Sequence, residues 1–215
     1  MHNMQEANAR EAICDVGLRM WQRRMVSAND GNISVRLDND LILCTPTGVS
    51  KGRLNPQELP IVNLQGEVVQ SSTTARPSSE INMHLQVYRD NPEINAVVHA
   101  HPIAATLFAI RGQGISNQML PESVVALPDV PVASYSTPST AAVGASVSPF
   151  THTHRACLLE QHGALTWDTS LEGAYLNMER LENIAQLELL FEVHSGARDL
   201  PQAEILNLKE LFGAA

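Results

Sequence analysis

The chain has 215 residues, 44% of them apolar and 17% charged, which fits a single soluble globular domain spanning 1–215 with a sizeable core. Its formal net charge of -9 argues against a nucleic-acid or anionic-membrane surface, because phosphate backbones are bound by clustered Lys and Arg. One small phosphorylated ligand stays compatible with that balance, since a few amides and hydroxyls can hold it locally. Cys14, Cys44 and Cys157 are dispersed without C-x-x-C spacing, as expected of a reduced compartment. The N-terminus lacks the basic-then-apolar pattern of a signal peptide and no apolar run reaches membrane-spanning length, so the expected location is cytoplasmic, with no membrane partner.

Residues 5–26 place Ala12, Ile13, Val16, Met20 and Trp21 at spacings of three and four, which predicts a helix with one face in the core. The turn formers Ser27-Ala28-Asn29-Asp30-Gly31-Asn32 end it. Ile33-Ser34-Val35-Arg36 and Leu41-Ile42-Leu43-Cys44, on either side of Asp38-Asn39-Asp40, read as a hairpin with a slightly long loop. The hairpin runs into Thr45-Pro46-Thr47-Gly48-Val49-Ser50-Lys51-Gly52, rich in hydroxyls and glycine and ending near a cation. Such a loop can expose backbone amides to an anion, and it is equally an ordinary turn composition. A further strand, Pro60-Ile61-Val62-Asn63-Leu64, turns at Gln65-Gly66-Glu67 into Val68-Val69. Ser78-Ser79-Glu80 then precedes a helical run with Ile81, Leu85 and Tyr88 on one face. Serines there cap the helix or, with the first-turn amides and the macrodipole, hold an anion. Glu80 is favoured in a first turn by the dipole alone, and His84, four residues on, reads as structural or as a support for the site.

Ala96-Val97-Val98-His99-Ala100-His101-Pro102 reads as a buried strand ending in two histidines. Residues i and i+2 of a strand share a face, roughly 6–7 Å apart, so both imidazoles can reach one metal ion. A lone His-x-His also arises by chance, and a tetrahedral site needs at least a third protein ligand. His152-Thr153-His154 has the same spacing but lies in a polar stretch with no apolar strand leading into it, and reads as surface. Residues 103–110 form a helix opened by proline, 112–127 show little period, Val130-Pro131-Val132-Ala133 is a short strand, and 138–147 a helix. Ala156-Cys157-Leu158-Leu159 is a strand running into Glu160-Gln161-His162-Gly163, where glycine lets the backbone turn tightly and offer an imidazole. Residues 170–195 form a long helix with Leu171, Ala174, Tyr175, Met178, Leu181, Ala185 and Leu189 inward, ended by Gly196, and 201–212 a last short helix. No internal repeat or linker divides the chain.

The ordered set Gly31-Asn32, Thr45-Pro46-Thr47-Gly48, Ser78-Ser79-Glu80, His99-Ala100-His101 and His162-Gly163 resembles the class II aldolase/adducin family, specifically its L-fuculose-1-phosphate aldolase branch, over nearly the whole chain. The resemblance implies an α/β fold: a three-layer αβα sandwich with a mostly antiparallel central sheet, assembled as a C4 homotetramer with active sites between subunits. It implies His99, His101 and His162 as ligands of one zinc ion per subunit. Glu80 would be the acid/base, sitting on zinc until substrate displaces it. Gly31, Asn32, Thr47, Gly48, Ser78 and Ser79 would hold the substrate phosphate. The implied reaction is retro-aldol cleavage of a ketose 1-phosphate, like L-fuculose 1-phosphate, to dihydroxyacetone phosphate and a small aldehyde. Zinc would polarise the substrate oxygens and stabilise the enediolate, and Glu80 would return a proton to the carbanion.

One departure from the family pattern bears on the reaction. Aldolases of this branch protonate the leaving alkoxide with a tyrosine from a neighbouring subunit, and residues 111–130 contain none. Leu120 lies near the expected place, Glu122 is the closest ionisable group and Tyr135 follows. A glutamate there is also similar to the family's methylthioribulose-1-phosphate dehydratases, and the tail tyrosine associated with fuculose-phosphate aldolase is missing. Glu122 and Tyr135 are therefore the candidate proton donors, and a sugar-phosphate 4-epimerase, dehydratase or decarboxylase stands as the alternative chemistry. A non-catalytic adducin-like binding module fits less well, because it has no need of zinc ligands.

Overall fold

The structure is a computed structural model that describes residues 2–37, 40–72, 75–116, 118–194 and 198–212. Helix α1, His2–Gln22, buries Ile13, Val16 and Met20 as the spacing predicts, whereas Ala12 and Trp21, each one position and so about 100° around the helix from Ile13 and Met20, are exposed. Strands β1, Asn32–Arg36, and β2, Ile42–Cys44, pair antiparallel with Ser34 opposite Cys44. Two single turns of 3-10 helix, Lys51–Arg53 and Pro56–Glu58, lead to β3, Ile61–Val62, and β4, Val68–Gln70. Helix α2, Ile81–Asp90, follows, then β5, Ala96–Ala100, and α3, Ile103–Arg111. Beyond them come α4, Pro121–Ala126, β6, Val132–Ala133, and α5, Ala141–Val147. The chain is completed by β7, Ala156–Leu159, β8, Gly163–Asp168, α6, Leu171–Val193, and α7, Gln202–Phe212.

All eight strands join one sheet in the order β4-β3-β2-β1-β5-β8-β7-β6. The α/β class is as expected, but the sheet is mixed: β6 pairs parallel with β7, whereas the other neighbours run antiparallel. The parallel pair is possible because α5 lies between β6 and β7 in the chain and supplies the crossover that two parallel strands need.

Strand β5 is central, flanked antiparallel by β1 and β8, and all five of its residues are buried. Burial on both faces explains why it reads as an unbroken apolar run rather than an alternating one. Ala96, Val98 and Ala100 face a core shared with α1, α3 and α6, while Val97 faces a second core shared with α2 and α5. His99 is on the Val97 face by alternation. Val97 and Val98 are both 0% exposed, and each contributes about 1.5–3 kcal/mol of burial that helps offset the cost of an interior imidazole.

The region 112–127, which shows no period in sequence, contains α4. Its start is marked only by Pro121 in the first turn and Glu122 beside it, and six residues are too few for a hydrophobic stripe to show. Helix α6 buries Ala174, Tyr175, Met178, Leu181 and Ala185 as predicted, while its expected terminator Gly196 lies outside the described residues. Among the described residues no helix is long and apolar enough to cross a membrane.

Candidate metal centre and anion cradle

Three histidines from two loops and one strand meet at the end of β5. His99 is the last but one residue of that strand and is 0% exposed. Its Nδ1 lies 2.9 Å from the carbonyl oxygen of Ala164 on β8, the neighbour of Leu165, which is the residue paired with His99 in the antiparallel register. A carbonyl only accepts, so Nδ1 carries the proton and Nε2 presents its lone pair. His101 follows the strand, held by a backbone N–H donated to the Met25 carbonyl at 2.9 Å, and its Nε2 is 3.0 Å from His99 Nε2. His162 comes from the turn between β7 and β8, and its ring centroid is 4.7 Å from that of His99 and 5.0 Å from that of His101.

One ligand atom from each histidine lies within 4.8 Å of the others, a spread that small side-chain adjustments bring to a common ion. Two nitrogens bound to one tetrahedral zinc sit about 3.3 Å apart, so the 3.0 Å between His99 and His101 already approaches that edge. Burial drives the His99 imidazole well below its ordinary pKa, and His101 and His162 beside it push the same way. His101 is lowered too, by burial and then by His162, against the pull of Asp30 and Glu80. These two rings are thus kept neutral, as a metal ligand must be. The donor set, the fixed tautomer of His99 and this bias toward the neutral form all fit a divalent cation of the zinc type.

Two glycines make the convergence possible. A Cβ on Gly163 would lie 2.5 Å from His101 Cδ2 and 2.6 Å from the Ala100 carbonyl, so only glycine lets the His162 turn pack under the other rings. Gly31, at φ +74°, is confined in the same way between Val26 and the His99 carbonyl.

Glu80 closes the constellation. It is the residue before α2, with Oε1 3.2 Å from His162 Nε2 and Oε2 3.5 Å from His99 Nε2. Asn32 donates from Nδ2 to Glu80 Oε2 at 2.9 Å, and the β1–β5 register sets Asn32 opposite His99, so one strand pair positions both. Asn32 Oδ1 is buried with no partner among the described residues, an acceptor left for a ligand. The two serines serve the helix start less directly than a standard N-cap, since only Ser78 Oγ is engaged, accepting from the Glu80 N–H at 3.3 Å.

Beside the histidines is a cavity of about 220 Å³, the size of a small metabolite's head group rather than of a drug-sized ligand. Gly31, Asn32, Thr47, Gly48, Ser78 and Ser79 all line it, together with Glu80, His101 and His162. They arrive from five separate segments of the chain. Lys51 lines it too, and from sequence it was visible only as a cation closing the hydroxyl-rich loop.

The other expected residues lie elsewhere. Tyr135 is 55% exposed, and its backbone N–H donates to Glu160; Glu122 is exposed on α4; neither lines this cavity within one chain. His84 is a buried core residue, its Nδ1 2.7 Å from Ser34 Oγ, which in turn meets Tyr88 OH at 2.8 Å, and burial pushes its pKa down to about 3. His152 and His154 sit in a turn, with His154 Nε2 3.5 Å from Asp129 Oδ2 and no third ligand near them among the described residues.

Residues 11–189 match the class II aldolase and adducin N-terminal domain. The chain is 33% identical over 187 residues to a 3-oxo-tetronate 4-phosphate decarboxylase of Pectobacterium atrosepticum, covering 85% of this chain and 84% of that protein. It is likewise 33% identical over 168 residues to an L-fuculose phosphate aldolase of Methanococcus vannielii, covering 78% of this chain and 88% of the other. Among solved structures, YgbL from Escherichia coli, a candidate aldolase/epimerase/decarboxylase, superposes with a TM-score of 0.87 at 31% identity over 95% of this chain and 99% of its own.

Proposed function

The chain belongs to the class II aldolase and adducin family, and we propose that within it the protein is a zinc-dependent decarboxylase of a phosphorylated 3-oxo sugar acid. The observation that carries the reading is that the histidine cluster and Glu80 lie against the same cavity that the anion cradle lines. What selects decarboxylation within the family is the leaving group. Carbon dioxide departs without needing a proton, whereas the alkoxide of a retro-aldol step requires a donor, and residues 111–130 hold no tyrosine to supply one. The similarity to the Pectobacterium decarboxylase supports the same choice.

A divalent cation held by His99, His101 and His162 would supply Lewis-acid stabilisation for the negative charge that grows on the substrate's carbonyl oxygen as the C–C bond breaks. The rest falls to the protein's own groups. Thr47, Ser78 and Ser79, with the amides around Gly31 and Gly48, grip the phosphate and so fix the carboxylate's carbon–carbon bond relative to the triad. When carbon dioxide leaves, the electron pair of the broken bond stays on the α-carbon. Glu80, aimed by Asn32, delivers a proton to that carbon.

A second reading, retro-aldol cleavage of a ketose 1-phosphate to dihydroxyacetone phosphate, is favoured by the Methanococcus relative. It needs Glu122 or Tyr135 to reach the cavity of a neighbouring subunit as proton donor. With either chemistry we propose a homotetramer, the assembly that the family resemblance implies. Ile103 (73% exposed), Ile110 and Leu190 form an apolar groove of about 750 Å³ that also includes His101, a surface suited to a second copy next to the metal centre.

The deciding experiment is a substrate panel on zinc-loaded protein with product identification. Carbon dioxide release from 3-oxo acid 4-phosphates is the expected outcome. Dihydroxyacetone phosphate formed from ketose 1-phosphates would transfer the assignment to the second reading. No turnover of either class by protein carrying one zinc per chain would reject both.

A further inference from the structure

A phosphate dianion in this cavity faces an electrostatic problem, because Asp30 and Glu80 both line it. Hydroxyls and amides solvate the phosphate oxygens without offsetting their charge. Among the described residues Lys51 is the only Lys or Arg on the cavity wall, and it is one of two lysines in the chain.

Its placement is unusual for a lysine. The residue is 2% exposed, whereas lysines are almost never fully buried unless paired. It opens the 3-10 turn Lys51–Arg53, which packs so closely under α1 that a Cβ on Gly17 would lie 2.7 Å from the Lys51 carbonyl. The backbone origin of the side chain is therefore held firmly. Nζ donates to the Asn29 carbonyl at 2.8 Å and to the Val49 carbonyl at 2.7 Å. One carbonyl belongs to the turn that presents Gly31 and Asn32, the other to the turn that presents Thr47 and Gly48. A single ammonium thus ties together the two backbone turns of the cradle.

An ammonium has three N–H groups, and two are used. The third has no partner among the described residues. Neutral donors could brace two carbonyls without the desolvation cost of a buried charge, so the charge itself needs a purpose. We propose that Lys51 is a ligand of the substrate's phosphate, holding the two cradle turns in register with two N–H groups and giving the third to a phosphate oxygen. Burial lowers its pKa to about 8, with Asp30 and Glu80 pulling the other way, which leaves it predominantly protonated at neutral pH. The role rests on the reading of this cavity as a phosphate site, and it makes the protein selective for phosphorylated over neutral substrates.

The test is binding to zinc-loaded protein, with inorganic phosphate as the charged probe and dihydroxyacetone as the neutral one. Lys51→Met should weaken phosphate by about tenfold or more while zinc content and dihydroxyacetone affinity stay within about twofold. Phosphate affinity unchanged by the substitution would overturn the proposal, and so would an equal loss for both probes, which a mere brace would produce. Should Lys51→Met fail to fold, the wild-type protein serves: with only two lysines, the ¹⁵Nζ resonance of the buried one can be followed directly. It should shift on phosphate addition, and a resonance indifferent to saturating phosphate would sink the assignment. Phosphate-dependent shifts in a protein that turns over neither substrate class would reject the proposed reaction and leave Lys51 in place.

Discussion

The molecule contains two His-x-His segments of identical spacing, and among the described residues only one of them joins a candidate metal centre. His99-Ala100-His101 ends the central strand of the sheet; His152-Thr153-His154 occupies a surface turn after the short 3-10 helix Ser148–Phe150. The ring of His99 is oriented by the Ala164 carbonyl of a neighbouring strand, whereas His154 Nδ1 meets the hydroxyl of its own neighbour Thr153 at 2.8 Å. The first pair gains His162 as a third donor; among the described residues the second has only Asp129, at 3.5 Å from His154. A metal site therefore depends on donors that distant segments deliver to a rigid, partly dry place, and spacing along the chain is only its smallest part.

The sharpest way to break the comparison is to delete one histidine from each pair. His101→Ala should lose the bound metal and at least about a thousandfold in turnover, the several kcal/mol expected of a missing Lewis acid. His154→Ala should keep metal content and turnover, and a variant that lost either would show that the second pair matters after all. Glu80→Gln belongs beside the first of these. It should retain zinc by elemental analysis yet lose about 10²–10⁴-fold in rate, as removal of a general acid does.

Smaller effects sharpen the contrast. Gly163→Ala forces a methyl against His101 and the Ala100 carbonyl, and should cost about 1–3 kcal/mol of stability, read by denaturant unfolding, together with weakened zinc binding. Acid should reveal the buried imidazole of His84. Its folded pKa of about 3 lies below the ordinary 6.5, so its contribution is intact above pH 6.5 and is lost progressively as pH falls toward 3. Thermal melts of metal-free protein should therefore fall more steeply from pH 7 to pH 4 in the wild type than in His84→Gln; equal slopes would show that another group dominates. Smallest of all, the exposed His154–Asp129 pair should contribute within about 0.5 kcal/mol to unfolding when His154 is removed.

Much of the fold can be read along the chain because its signals are local. The stripe of Ile13, Val16 and Met20, the hairpin of β1 and β2, and the long inward face of α6 each declare themselves within a few turns or residues. The parallel pairing of β6 and the helix α4 do not, because a two-residue strand and a six-residue helix are too short to carry a period, and the partner of an edge strand is a matter of topology.

The site divides in the same way. The residues and their order were enough to show which side chains were available: imidazoles on a strand, a carboxylate before a helix, hydroxyls in glycine-rich turns, and the family resemblance of the set. Tertiary structure decided that Asn32 lies across from His99, that Ala164 sets the His99 tautomer, and that Lys51 is buried where two turns meet. The physical reason is that these are contacts between residues far apart in the chain. Strand register and close backbone packing create them, and neither leaves a mark in the residues' own neighbourhood. That is why the two His-x-His pairs, equal in spacing, end as a candidate metal centre and a surface turn.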